Sequence, residues 1–188
     1  MNHEVVSRRP LRVIVHGAAG RMGQRVVALS MDDPDIQLIA AVDHADHDAI
    51  GHDIGVISGG QSCGVMLTSQ FPDQIEQASD ESPPIVIDFS LPSAIDDCIE
   101  HCRTNGWPLV VATTGLEDGQ KQHLRDASRA IPIVWAPSMS PAVNVSMKVV
   151  QQITAALRNV AGGLDIEVIE RHHRFKADAP SGTALRFG

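Results

Sequence analysis

The chain has 188 residues, one ordinary domain or one and a fraction, enough for a hydrophobic core without disulfide staples. Fifteen Lys and Arg against 23 Asp and Glu leave a net charge of −8, which argues against a nucleic-acid wrapper or a basic membrane-surface protein. The 43% hydrophobic and 20% charged content is globular rather than disordered, and 3% aromatics without Tyr argue against a base-stacking RNA or single-strand binder.

Residues 1–10 are polar and read as a flexible N-terminus. The first apolar run, 11–15, is too short for a signal-peptide core or a membrane span, and no other stretch approaches that length. Three cysteines, Cys63, Cys98 and Cys102, make no disulfide framework and fit a reducing compartment. The expectation is a cytoplasmic protein with no nucleic-acid or membrane partner.

In chain order, a β-branched run predicts a strand over 11–16, followed by a helix over 21–31 and a strand over 36–43. A polar loop is expected over 44–64, a short strand over 65–68 and a Pro-opened helix over 72–79. Next come a strand over 85–89, a helix over 92–105 stopped by Gly106, a strand over 109–112, a helix over 117–130 and a strand over 131–136. Nearly continuous apolar strands alternating with helices predict an α/β, Rossmann-type doubly wound parallel sheet over 11–136.

Beyond residue 136 the rhythm changes. Ser140 is the expected N-cap of a helix from Pro141 to about Asn159, with Val143, Met147, Val150, Ile153 and Leu157 on one face. Residues 164–170 alternate apolar and polar and predict a strand with one wetter face, and a new helix is expected just before Gly188. Residues 137–188 therefore read as a separate unit, with a domain boundary near Pro137.

The first strand runs into Gly17-Ala18-Ala19-Gly20-Arg21-Met22-Gly23, and a helix follows. Glycines in this pattern allow a tight turn and let backbone N–H groups approach a pyrophosphate at a helix N-terminus. Asp43 stands 20 residues beyond Gly23, where a ribose-binding carboxylate belongs. A carboxylate there repels a 2′-phosphate, so NADH should serve at least as well as NADPH. Arg21 sits inside the loop as a candidate pyrophosphate or 2′-phosphate contact, while Met22 reads as packing beneath it. No Gly-Lys-Ser/Thr follows, so a P-loop is not supported.

The other informative stretch runs from Glu170 to Ala184, with three permanent cations and two histidines in residues 171–176 of an acidic chain. Such a sign reversal points to an anionic ligand, although a solvated loop has the same composition. Ser181-Gly182-Thr183 at a helix start offers hydroxyls and free amides to a carboxylate or phosphate. A His among these cations can donate a proton where a hydride is received. No metal site is expected: adjacent histidines seldom share one ion, and the acidic, His-rich run 43–53 reads as solvated surface. Cys98 and Cys102, one helical turn apart, read as buried packing.

Together, Val15 through Gly23, Ile87-Asp88-Phe89-Ser90, Ala112-Thr113-Thr114-Gly115, Ala136 through Ser140, Val143-Asn144-Val145 and Glu170 through Ala184 resemble the 4-hydroxy-tetrahydrodipicolinate (dihydrodipicolinate) reductase family. The resemblance covers residues 11–188 and is most specific over the His-His-x-x-Lys-x-Asp-Ala-Pro-Ser-Gly-Thr-Ala segment. It implies reduction of a cyclic dicarboxylate by NADH or NADPH to tetrahydrodipicolinate, in lysine biosynthesis through diaminopimelate. It implies that Gly17, Ala18, Ala19, Gly20, Arg21, Met22 and Asp43 hold the adenosine and pyrophosphate part of the cofactor. Ala112, Thr113, Thr114, Ala136, Pro137, Ser138 and Met139 match loops at the nicotinamide half. His172 matches the proton donor, Lys176 its cationic partner, and His173, Ser181, Gly182 and Thr183 the dicarboxylate pocket.

The family is typically tetrameric, so a homo-oligomer is expected. Its members also usually continue further, so the resemblance implies that 137–188 is the first part of a smaller α+β substrate domain, truncated here. Four positions depart from the family pattern: Ser138 replaces an Asn, Pro141-Ala142 replaces a small residue and Gly, and His44 stands where some members carry Arg. A related reductase with another substrate, or a non-catalytic dinucleotide-binding protein, are the alternative readings.

Overall fold

A computed structural model of the chain describes residues 9–72, 75, 82–136, 138–172, 174 and 179–188. It forms two compact units, residues 1–135 and 136–188. Among the described residues no helix is long and apolar enough to cross a membrane.

Among the described residues the first unit is a parallel sheet of six strands: β1 Leu11–His16, β2 Ile36–Val42, β3 Leu67–Thr68, β4 Ile85–Asp88, β5 Leu109–Val111 and β6 Ile133–Trp135. Their order across the sheet is β3-β2-β1-β4-β5-β6, so the chain reverses its direction of winding between β1 and β4. That point is where open α/β sheets bind ligands, beyond the carboxyl ends of the strands. His16 and Asp88, the last residues of β1 and β4, are direct neighbours in the parallel register.

The apolar strands are explained by burial on both faces. Val13 and Val15 of β1 pack with Val27, Ala41, Ile54 and Leu67 on one side. Ile14, between them, packs on the other side with Val86, Ile95, Ile99, Leu109 and Leu124. Each fully buried Val or Ile contributes about 1.5–3 kcal/mol.

Helices α1 Arg21–Asp32, α3 Ile95–Asn105 and α4 Asp118–Ala127 cover these faces. Gly106 ends α3 in the left-handed conformation at φ 69°, as its position predicts. Pro92–Ala94 form a tight 3₁₀ turn before α3 rather than its first turn. The expected loop 44–64 contains a helix, α2 Ile54–Ile57, capped by Asp53, whose carboxylate also accepts from the amides of Cys63 and Gly64. Four residues carry no helical periodicity, so only the cap could have revealed it. Most of the expected helix over 72–79 lies outside the described residues.

The second unit holds α5 Pro141–Leu157 and α6 Gly182–Phe187. Ser140 caps α5 by accepting from the Val143 amide at 3.4 Å. Val143, Met147 and Val150 are half-buried as expected, but Ile153 and Leu157 are exposed and Thr154 is the half-buried residue of that turn. The strand expected over 164–170 is not formed. A strand needs a neighbour for its backbone hydrogen bonds, and none of the described residues supplies one there.

Candidate functional site

The glycine loop lies at the β1 end of the switch point. Gly17 adopts φ 74°, and a Cβ there would stand 2.7 Å from the backbone of Phe89 and Ser90. The turn thus needs glycine for conformation and for close approach. A Cβ on Gly23 would collide with the Gly17 carbonyl oxygen and the Ala18 Cα, so this glycine lets α1 sit directly on the loop.

Gly20 is the N-cap of α1 and offers no side-chain acceptor. The first-turn amides of α1 are therefore not engaged by a side-chain cap, and they carry the positive end of the helix dipole. Arg21 and Met22 are exposed on this turn, so Met22 does not pack beneath the loop as its sequence position suggested, whereas Ala18 and Ala19 are buried.

Asp43 follows β2 directly. One carboxylate oxygen accepts from the Ala19 amide at 2.8 Å; the other accepts from the amide and ring Nδ1 of His44 at 2.9 and 2.7 Å. The carboxylate thus braces the glycine loop as well as facing the cleft. Burial pushes its pKa up, but the hydrogen bonds from His44 and Ala19 outweigh that and hold it below the usual carboxylate range. A cleft of about 450 Å³ opens here, lined by Gly17, Ala19, Gly20, Asp43, His44 and Ser90 among others.

On the other side of the switch point lies a polar network that sequence reasoning missed. Asp88 is fully buried, yet its carboxylate accepts from His16 Nδ1 at 2.8 Å, Ser90 Oγ at 2.6 Å and Thr113 Oγ1 at 2.6 Å. Burial opposes its ionisation, and these three donors still hold its pKa below the ordinary value. In the sequence Asp88 is one polar residue in an apolar run, and its partners are 72 and 25 residues away in two of the three cases. Thr113 turns its hydroxyl inward to Asp88, so any ligand contact by this residue is through its backbone. Ala112 is buried beside it and Thr114 is exposed.

The remaining expected site residues belong to the second unit. Ala136, Ser138 and Met139 open it, and Pro137 lies outside the described residues. Glu170 brings two of the others together. Its Oε2 stands 3.5 Å from His172 Nδ1, and its Oε1 accepts from the Ser181 amide at 2.8 Å. Ser181 in turn caps α6 by accepting from the Ala184 amide at 3.0 Å, placing Gly182 and Thr183 in its first turn. Glu170 opens the motif read in the sequence, but its linking role was not expected; its place two residues before His172 was the available signal. His173 and Lys176 lie outside the described residues.

The family described as dihydrodipicolinate reductase matches this chain twice, by its N-terminal model over residues 11–139 and its C-terminal model over residues 142–188. A 4-hydroxy-tetrahydrodipicolinate reductase of Rhodopirellula baltica is 60% identical over 182 residues, covering 97% of this chain and 64% of that protein. The enzyme of the same name from Ralstonia nicotianae is 38% identical over 178 residues, covering 95% of this chain and 64% of that protein. Among solved structures, a dipicolinate-bound dihydrodipicolinate reductase from Paenisporosarcina sp. TG-14 superposes with a TM-score of 0.67 at 26% identity. The match covers 95% of this chain and 64% of that one. The chain thus spans about 64% of the length of these relatives.

Proposed function

This chain belongs to the dihydrodipicolinate reductase family, and from that premise we propose that it reduces 4-hydroxy-tetrahydrodipicolinate to tetrahydrodipicolinate with NADH or NADPH. The reaction belongs to lysine biosynthesis through diaminopimelate. The observation that carries the proposal is the glycine cradle at the switch point: Gly17 and Gly23 leave no room for a Cβ, and an uncapped helix start faces the cleft beside Asp43. This fits a dinucleotide pyrophosphate.

In this reading the Arg21 and Met22 amides and the Arg21 guanidinium take the pyrophosphate, with Gly17, Ala18, Ala19 and Gly20 shaping the cradle. Asp43 accepts from the adenosine ribose once the exposed His44 ring turns outward. Ala112, Thr113, Thr114, Ala136, Pro137, Ser138 and Met139 contact the nicotinamide half. When bound, reduced nicotinamide supplies a hydride. The second unit carries the acid: His172 as imidazolium donates a proton where electron density collects, and Glu170 orients the ring. Lys176 neutralises developing charge, and His173, Ser181, Gly182 and Thr183 hold the dicarboxylate. A homotetramer in the cytoplasm completes the reading.

Two outcomes follow. Asp43 stays ionised at neutral pH, so kcat/KM with NADH should equal or exceed that with NADPH in steady-state assays; a strong NADPH preference would contradict the role given to Asp43. Glu170→Gln keeps an acceptor for the Ser181 amide but removes the charge beside His172. We expect kcat to fall about tenfold with KM within about twofold, the cost of one charge-assisted contact. A loss confined to KM would make Glu170 a substrate-binding residue.

The proposal as a whole is tested by NADH oxidation on addition of freshly generated substrate.

A further inference from the structure

We propose that Asp88 is a positioning residue for the nicotinamide half of the cofactor, acting through Thr113 and Ser90. The proposal rests on the reading of the cleft as a dinucleotide site.

A buried carboxylate is costly, and an apolar residue of similar size is often no less stabilising. Asp88 nevertheless occupies the last position of β4 at the switch point, with three side-chain donors satisfied. Those donors come from the ends of three different strands: His16 from β1, Ser90 just past β4 and Thr113 just past β5. The backbone carbonyl of Asp88 also accepts from the Ala112 amide at 3.0 Å. Thr113 Oγ1 also lies 3.1 Å from the Ser90 carbonyl oxygen, the alternative acceptor for its single proton, so the two loops meet at this hydroxyl. Ser90 in turn borders Gly17, against whose Cα its backbone is packed too closely for a side chain.

In a doubly wound sheet the two nucleotide halves lie on opposite sides of the switch point. Asp43 braces the glycine loop from the β2 side, and Asp88 braces the loops after β4 and β5. The adenosine side thus has Asp43 on the glycine loop, and the loop that carries Thr113 is held by Asp88. His16, Asp88 and Cys98 also bring donor atoms within 4.8 Å of one another. A cation there would have to strip hydrogen bonds from a carboxylate that already uses both oxygens, so we read the cluster as a hydrogen-bonded brace.

The test compares two ligands on the whole chain by calorimetric titration. NADH spans both halves of the cleft, whereas ADP-ribose lacks the nicotinamide. Thr113→Val removes the hydroxyl while keeping the shape, and Asp88→Ala removes the whole brace. Both should weaken NADH about tenfold or more, the scale of a lost hydrogen bond to a charged group, and leave ADP-ribose within about twofold. Asp88→Asn leaves Oδ1 for His16 and Ser90, and its amide can donate to Thr113 as that hydroxyl turns to the Ser90 carbonyl. It should restore NADH binding to within about threefold of wild type.

Equal losses of both ligands in Thr113→Val, or unchanged NADH binding in it, would overturn the positioning role. If wild-type chain bound neither ligand, the dinucleotide reading itself would fall and the proposal with it. If Asp88→Ala does not fold, Thr113→Val alone decides.

Discussion

Gly17→Ala is expected to abolish measurable dinucleotide binding and to lower folding stability by about 2–4 kcal/mol, at the upper end of single-residue effects. Two costs combine. An L-residue at φ 74° is strained by about 1–2 kcal/mol. The added Cβ also meets backbone atoms of Phe89 and Ser90 at 2.7 Å, and backbone cannot swing aside as a flexible side chain would. The loop or the β4 end must move, and either movement displaces the cradle from Asp43. Gly51→Ala is the control: its φ is 83°, but its Cβ would meet nothing within 4 Å. It should show the conformational cost alone and keep cofactor affinity. Thermal unfolding and NADH titration of the two variants separate strain from collision.

His172→Ala should lower kcat by about 10²-fold or more, the usual range for a lost general acid, with NADH affinity unchanged. His172 is two-fifths exposed and faces Glu170, an arrangement that keeps the ring accessible and gives its protonated form an anionic neighbour. Glu170 also holds the Ser181 amide, so one carboxylate connects the proposed acid to the first turn of α6, where Gly182 and Thr183 sit. Removal of the imidazole should therefore act on the proton-transfer step rather than on the cradle. A variant with near-wild-type kcat would take His172 out of the mechanism.

Features written locally in the chain were legible. The glycine spacing, the apolar runs of β1, β4 and β5, the stop at Gly106 and the cap at Ser140 each depend on residues within a few positions of one another. Interactions made across the sheet were not. Asp88 reads as a polar interruption until folding sets it beside His16 and Thr113. Asp43 reads as a ribose acid, but its second bond, to the Ala19 amide, exists only because β1 and β2 pair in register. The alternation over 164–170 was misleading for the opposite reason. Period two marks a half-buried strand only where a neighbouring strand exists, and among the described residues none is present. The short α2 escaped because its stability comes from the many bonds to Asp53 rather than from any periodic face.

The most direct measurement is NADH oxidation by the purified chain on addition of freshly generated 4-hydroxy-tetrahydrodipicolinate, run beside His172→Ala and Gly17→Ala. The wild-type chain is expected to show substrate-dependent oxidation, His172→Ala the same reaction slowed about 10²-fold or more, and Gly17→Ala none. Tight NADH binding with no substrate-dependent oxidation would contradict the proposed activity, and would mark the chain as a dinucleotide-binding protein that is not itself a reductase.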